Sequence, residues 1–580
     1  MTYNFNSRKK TFQNIFVYSV FLIYNLLSFS SEESKITLVV TKDNDGKAQV
    51  LSEYFSPDPN EILVNGENKE LDYNNRISVD SDNTIVILSW INGPTDCSLM
   101  FFHVESIISI DFSEFDHRGI NSMNQMFYRC INLQSVNFYN FDSSSVTDMY
   151  GLFSYSQSLS NLDLSNLDVS NVEDMRFMFD ESGIENINLK NWNTSSLIYM
   201  YAMFADCSYL ISLDLSFFNT SKVVDMGALF FYSYSLEYVN LSNWDNSKVT
   251  DMNMMFTYCF NLENVNLTGF HTNNVQNMSS FFYVCQSLKS VDISSFETTN
   301  LIDLNSFFYY CSKLDSITFG NFNTHNAQIF DAMFFSCGSL ISLDLSFFDT
   351  SNALTMAEMF SFCKNLIYID VSSFDTNLVR NMSFMFSQCH SLNSLNLTNF
   401  DTSNVIDLIG MFVNCSSLRT LHLGEFKNTL TMYFNAIFYS CIKLVYLDLS
   451  HFYTPNAIDF YSMFKECESL ESVDLSSFDT SNVLDMGSMF LNCKSLTSLN
   501  LSNFDTSKVT CMNKMFSNCT NLEILDFRNI TVNQDCTFNN FLNNCIHLKY
   551  LNLFGINDDL STNSGYDPFN NINDNINIFG

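Results

Sequence analysis

The sequence predicts an α/β solenoid in which about eighteen coils of 26 residues stack and share a continuous parallel β-sheet on one face. A phenylalanine recurs every 26 residues from Phe127 to Phe516, with one step of 25 between Phe179 and Phe204. A chain of 580 residues is also far longer than one compact core requires. A period this strict indicates a stack of similar coils rather than several globular domains.

Each unit carries the pattern L-x-x-L-x-L, the signature of leucine-rich repeats. In Leu343 to Ser346 apolar and polar residues alternate, which predicts a short strand with its leucines inward. Asp-Thr-Ser then turns the chain, for instance at Asp349-Thr350-Ser351, because these residues are turn formers and helix N-caps. Val483, Met486 and Met489 then recur at helical spacing, so we expect one or two helical or 3₁₀ turns on the opposite face.

The repeat divides the chain into four regions. Residues 1–30 have the anatomy of a secretory signal peptide, since basic residues 8–10 precede thirteen largely apolar residues and a small-residue cleavage site. Thirteen residues are too few to span a bilayer, which needs about 20. Residues 31–104 lack the repeat and predict a small β-rich N-terminal cap or domain. Residues 105–555 form the solenoid, and 556–580 are a polar tail that we expect to be disordered.

Charge and motifs exclude several classes of function. The net charge of −35 argues against nucleic-acid binding, which needs a basic contact surface. The chain has no P-loop, dinucleotide fingerprint, G-x-S-x-G or H-E-x-x-H motif. We therefore expect no enzymatic activity and no cofactor. We also expect the mature chain not to insert into a membrane.

Fourteen of the 17 cysteines fall in one column of the repeat. A metal ladder or stacked disulfides would be the functional interpretation, but zinc-site spacing is absent and serine replaces cysteine at Ser156, Ser182 and Ser233. Buried thiols that act as small apolar residues are favoured instead. Cys511 and Cys536 lie off the column and one coil apart, which makes them the candidate disulfide.

The candidate binding surface is the outward side of the predicted strands. The residue between the two strand leucines is Asp or Asn in most coils, and the residue two positions earlier is sometimes Tyr. Tyrosine on a polar surface is a frequent anchor for protein or glycan partners, although a packing role is equally open. A solvated polar face is favoured over a Ca²⁺ site, because a flat column offers few converging oxygens. The candidate residues are Tyr238, Tyr368, Tyr446, Tyr550, Asp344, Asp370, Asp448 and Asp474.

The unit L-x-L-S-x-F-D-T-S-x-V-x-D-M-x-x-M-F-x-x-C resembles the BspA-like leucine-rich-repeat surface proteins over residues 105–555. That resemblance implies exposure on a cell surface and adhesion to host or neighbouring-cell components. The expected function is therefore a secreted or cell-surface protein that binds an extracellular protein or glycan. A self-associating surface-coat protein is the alternative. An enzyme hidden in residues 31–104 is the third possibility.

Overall fold

The structure is a computed structural model that describes residues 33–91, 93–115, 119–528, 530–531, 536–554 and 576–579. The predicted signal peptide and most of the predicted tail lie outside these residues. The described residues form 25 strands and no helix. The strand bounds are Ser34–Val40 (β1), Lys47–Gln49 (β2), Glu61–Val64 (β3), Glu67–Asn68 (β4), Arg76–Ser78 (β5), Thr84–Trp90 (β6), Ile107–Glu114 (β7), Ser135–Asn137 (β8), Asn161–Asp163 (β9), Asn186–Asn188 (β10), Ser212–Asp214 (β11), Tyr238–Asn240 (β12), Asn264–Asn266 (β13), Ser290–Asp292 (β14), Ser316–Thr318 (β15), Ser342–Asp344 (β16), Tyr368–Asp370 (β17), Ser394–Leu397 (β18), Thr420–Leu423 (β19), Tyr446–Leu447 (β20), Ser472–Val473 (β21), Ser498–Asn500 (β22), Ile524–Asp526 (β23), Tyr550–Asn552 (β24) and Asn577–Phe579 (β25).

The N-terminal region is β-rich and continues into the solenoid through a shared sheet. Its strand order is β4-β3-β6-β1-β7-β8. Strand β1 pairs antiparallel with both β6 and β7, and β7 pairs parallel with β8. The first coil therefore stacks on a strand of the cap, which covers the apolar end of the array.

Eighteen strands, β7 to β24, recur once per coil and enclose seventeen turns of a β-solenoid. Neighbouring strands are parallel and in register, as in the pairing of Leu343 with Ile369. The expected continuous sheet is not observed, because the strands are hydrogen-bonded to one another only in short groups, mostly of two or three strands. Strands of two to four residues offer few lateral hydrogen bonds, so a small twist between coils is enough to interrupt them.

The unbroken ladder lies on another face, in the segment where helical turns were expected. On this face one parallel bridge joins each coil to the next, from Asp96 in the first coil to Thr537 in the last, and the bridging residue lies two positions after the valine column of the repeat. We call this row of bridges the bridge ladder. Alternate residues then bond between coils: the Glu358 N–H donates to the Ser383 carbonyl at 2.9 Å, and the Phe360 N–H donates to the Met385 carbonyl at 2.9 Å. The intervening N–H groups close local turns within the coil. The α/β class and the helical turns are therefore wrong, and the described fold is all β.

Both ends of the solenoid differ from the predicted boundaries. Asp96 already bridges Ser122, so the first coil begins near residue 95 and not at 105. At the other end, Asn577–Phe579 pairs parallel with Tyr550–Asn552. This part of the predicted tail is a strand, and it covers the last edge of the sheet.

The core is a set of stacked columns, one for each apolar position of the repeat. Phe360 is fully buried. Its ring lies 5.7 Å from that of Phe334 and 5.3 Å from that of Phe386, with interplanar angles of 7° and 19°. A coil of 26 residues cannot enclose a core alone, so burial of these rings depends on the neighbouring coils.

The cysteine column is part of this core, and its thiols are free. The Cys337 thiol donates a hydrogen bond to the Phe308 carbonyl at 3.2 Å, and the same contact recurs along the column. Ser156 donates to the equivalent carbonyl of Phe127 at 2.8 Å. Burial raises the pKa of the Cys337 thiol well above its usual value. The column thus supplies a buried hydrogen-bond donor, which serine can replace.

We predict that Cys337→Ser is tolerated better than Cys337→Ala. Serine keeps a donor for the Phe308 carbonyl, whereas alanine removes it and leaves a small cavity, at a cost of about 1–2 kcal/mol. Urea denaturation of the two variants and the parent would measure the difference. An equal loss of stability in both variants would contradict the donor role.

Cys511 and Cys536 are partly buried and are free thiols in the structure. Cys511 pairs with Thr537, the residue after Cys536, across the bridge ladder. Burial raises the pKa of Cys536 to about 12. A disulfide between the two cysteines stays a prediction, and intact-mass measurement before and after reduction would test it.

Candidate functional site

The outward side of the parallel strands is a polar face that every coil extends. In β16 the side chain of Leu343 is buried, while Ser342 and Asp344 on either side are exposed. The alternation follows from the strand geometry, which points successive side chains to opposite sides. We call this surface the strand face.

The four candidate aspartates on the strand face share a structural role. Each accepts a hydrogen bond from the backbone N–H two residues later, as Asp344 Oδ1 does from Ser346 at 3.0 Å. Hydrogen bonds from Ser372, from its side chain first and then its backbone, lower the pKa of Asp370. The backbone of Ser450 does the same for Asp448. These carboxylates therefore fix the turn after the strand and still face solvent.

The four candidate tyrosines are all exposed, with 41–63% of each residue accessible. The structure does not bring them into one site. Tyr238 lies five coils before Tyr368, about 24 Å away at roughly 4.8 Å per coil. Tyr446 lies three coils after Tyr368, and Tyr550 lies four coils beyond Tyr446. The face therefore carries separate tyrosines with their own neighbours.

Tyr368 has two of the predicted carboxylates beside it. Tyr368 and Asp370 share β17, and Asp344 lies on the paired strand β16. The Tyr368 hydroxyl donates to Asp370 Oδ2 at 3.4 Å, and the charges of Asp370 and Asp344 raise the pKa of this tyrosine. Tyr446 has a similar pair in Asp448 and Asp474, because β20 pairs with β21.

Sequence reasoning missed the apolar part of this arrangement. Ile341 and Ile367 are 59% and 46% exposed and lie in adjacent coils, where the Ile367 N–H donates to the Ile341 carbonyl at 2.8 Å. Their column is charged in the four preceding coils, at Glu237, Glu263, Lys289 and Asp315. Two adjacent isoleucines after these four charged residues were the available signal. The Tyr368 patch is defined here as Ile341, Asp344, Ile367, Tyr368 and Asp370.

A second aromatic surface follows the bridge ladder and was also missed. Tyr283, Tyr309 and Phe335 stack with ring centroids 4.6 and 4.5 Å apart and interplanar angles of 9° and 5°. All three are half-buried. Each ring covers a face of its neighbour, so the row mainly packs one coil on the next.

One family of proteins matches the repeated part of the chain. Its model, described as "Mycoplasma protein of unknown function, DUF285", matches residues 95–211, 200–318, 288–368, 330–442 and 428–550. Together these matches cover most of the 580 residues. The chain belongs to this family. The matched region of the DUF285 chain begins at residue 95, where the bridge ladder of the first coil also begins.

Several solved structures are similar to the DUF285 chain at low identity. A leucine-rich cell surface protein from Faecalibacterium prausnitzii A2-165 is 17% identical over 58% of this chain and 83% of that chain, with a TM-score of 0.29. A leucine-rich repeat protein from Eubacterium ventriosum ATCC 27560 is 15% identical over 58% and 83%, with a TM-score of 0.28. The functional domain of InlJ from Listeria monocytogenes, which includes a cysteine ladder, is 14% identical over 71% and 73%, with a TM-score of 0.19. No curated protein matches the chain.

Within the described ranges, the DUF285 chain has no helix with the length and apolar character needed to cross a membrane. The same residues contain no group of three or more His, Cys, Asp or Glu side chains placed to hold a metal ion. The strand-face carboxylates instead hold the turns described above.

Asp180 is the acidic group whose protonation we expect to affect stability most directly. It is half-buried beside Glu181 and Asp206 in the short coil. Burial, with the charges of Glu181 and then Asp206, raises the pKa of Asp180 from 3.8 to about 7, although Ser154 donates a hydrogen bond to it at 3.4 Å. The folded state then binds more protons than the unfolded state between these pH values. Stability therefore falls as pH rises through this window.

We predict that Asp180→Asn stabilises the protein at pH 8 by about 1–2 kcal/mol, after allowance for solvent screening of this half-buried group. Near about pH 3 the carboxyl of the parent is mostly protonated in both the folded and the unfolded state, so the parent and the variant should unfold alike. Thermal unfolding from about pH 3 to 8.5 would measure the difference. A gain that does not change with pH would contradict the assignment.

Proposed function

We propose that this DUF285 protein is a secreted or cell-surface leucine-rich-repeat protein that binds another macromolecule through its strand face and has no enzymatic activity. The observation that carries the proposal is the Tyr368 patch. There, an exposed tyrosine and two exposed isoleucines lie beside two carboxylates. Exposed apolar side chains with a polar rim are typical of protein interaction sites.

Export is supported by the sequence of residues 1–30, which has the order of a signal peptide. The repeat unit resembles the BspA-like surface proteins, and this supports an adhesive role toward host or neighbouring cells. The net charge of −35 favours a protein or glycan partner over a nucleic acid. The expected ligand is therefore an extracellular protein or glycan, held without a cofactor and without membrane insertion.

The proposal is tested by screening the mature chain against matrix proteins, intact cells and immobilised glycans. Tyr368→Ala should weaken the recovered interaction at least about thirtyfold, as expected for loss of a binding hot spot worth about 2 kcal/mol. Tyr453→Ala is the control, because Tyr453 is 45% exposed but lies in the turn after the strand and is not a candidate binding residue. Equal losses in both variants, or no binding to any ligand class, would contradict the proposal.

The same preparation tests the coat-protein alternative. Concentration-dependent oligomers in light scattering would favour self-association through the strand face, whereas a strict monomer would exclude it. If oligomers form, Tyr368→Ala shows whether the Tyr368 patch is the contact.

A further inference from the structure

A cleft in the strand face lies beside the short coil of the solenoid. The coil after Phe179 is one residue shorter than the others, and the missing residue falls between Ser182 and Ile184. Strand β10 of this coil pairs with β9 before it but not with β11 after it. No backbone hydrogen bond joins residues 185–189 to residues 211–215, all of which the structure describes.

Two adjoining depressions occupy this break. One has a volume of about 540 Å³ and the other about 430 Å³, both within the usual size range of ligand pockets. They share Ile187 and Ser212, and so form one cleft that runs along β10 and β11. The cleft is therefore large enough for a small molecule or for the end of a polymer.

The walls of the cleft combine exposed rings with hydrogen-bonding groups. Phe217 and Tyr209, at opposite ends, are 45% and 56% exposed. Phe217 meets its neighbour Phe218 edge to face at 72°, so the two rings do not stack. Between the ends, Asn188 and Asp214 contribute amide and carboxylate oxygens. Rings that can lie against C–H surfaces, together with amides and carboxylates that can bond hydroxyls, match the chemistry of a sugar.

The charges in the cleft favour a neutral ligand. Lys190 supplies one positive charge, and Asp214 and Glu185 supply two negative charges. Hydrogen bonds from Ser216 hold the pKa of Asp214 below its usual value, so that this group stays ionised. With a net charge of −35 on the whole chain, an acidic polysaccharide would be repelled.

A peptide fits the cleft less well. Peptides that add to a sheet edge gain affinity mainly from main-chain hydrogen bonds. Strands β10 and β11 have three residues each and offer few such bonds. The side chains rather than the strand edges therefore carry the recognition.

We propose that the cleft between β10 and β11 binds a short neutral oligosaccharide, with Phe217 and Tyr209 as apolar platforms and Asn188 and Asp214 as hydroxyl partners. This site is separate from the Tyr368 patch, which lies several coils further along the strand face. The cleft lies where the coil of 25 residues meets the coil after it.

The test is binding of the complete mature chain to an array of neutral and acidic oligosaccharides, followed by calorimetry with the best neutral ligand. Phe217→Ala should reduce affinity at least tenfold. Phe347→Ala is a matched control, since Phe347 has the same repeat position and the same 45% exposure. Asp214→Asn and its column partner Asp292→Asn form a second pair, since Asp292 is also exposed and also accepts a hydrogen bond from the backbone N–H two residues later. Thermal unfolding of all four variants checks that they remain folded.

Loss of affinity in Phe217→Ala and Asp214→Asn, with little change in their controls, would support the proposal. It is overturned if no neutral oligosaccharide binds, if only acidic glycans or peptides bind, or if the control variants lose as much affinity. Phe217→Ala should leave binding that depends on Tyr368 intact. Failure of the cleft proposal and failure of the proposed function are therefore distinguishable.

Discussion

Replacing Phe360 by alanine is expected to lower the free energy of unfolding by about 3–5 kcal/mol. The ring is fully buried and contacts the rings of Phe334 and Phe386, so its removal leaves a cavity bounded by three coils. Because each coil depends on its neighbours, the damage should reach both adjacent interfaces. Urea denaturation would give the size of the loss, and amide hydrogen exchange would show whether opening begins in these coils.

Phe347→Ala is the control for this prediction. Phe347 lies in the same part of the array but is 45% exposed, so its replacement should cost less than about 1.5 kcal/mol. If the two variants unfold alike, the phenylalanine column is not the main source of stability. Faster exchange confined to one end of the chain in Phe360→Ala would also contradict the nearest-neighbour picture.

The repeat period and the inward leucines were sufficient to predict the solenoid, because both follow from one short unit. The bridge ladder was not predictable in the same way. Val483, Met486, Met489 and Phe490 are buried at spacings of three, three and one, which suits a helix. In the structure the same spacing arises from successive turns of the backbone. Residues with a left-handed backbone conformation, such as Glu358 and Phe362, recur four positions apart in these turns. Bonds to the next coil, which a local pattern does not reveal, decide between these two conformations.

The candidate site was predictable only in part. The columns identified which residues face outward, and the structure places Tyr368 with Asp344 and Asp370 as neighbours. The role of the carboxylates in holding their own turns was not visible, because it depends on the backbone after each strand. The sequence marks the coil beside the cleft only by its single 25-residue step. The cleft itself was not predictable, because it depends on how neighbouring coils pair.

Gly183, the one glycine of the short coil, should not tolerate a side chain. A Cβ on this residue would lie 2.0 Å from the carbonyl oxygen of Gln157, which is backbone and has little freedom to move. Gly183→Ala is therefore expected to cost about 2–4 kcal/mol through overpacking. Gly338 occupies the same repeat position, and its Cβ would meet only the Ser312 carbonyl, at 3.9 Å. Gly338→Ala should leave stability unchanged or raise it by about 0.5 kcal/mol, because alanine restricts the unfolded chain.

Calorimetric melting of the two alanine variants tests this pair directly. A large drop in melting temperature for Gly183→Ala alone would show that the short coil lies close against the coil before it, where the Gly183 N–H donates to the Ser156 carbonyl at 3.2 Å. The short coil pairs with β9 through β10, whereas β10 does not pair with β11 on its other side. Equal melting temperatures for the two variants would mean that the spacing of the coils adapts to a methyl group, and the cleft would then lack a rigid wall.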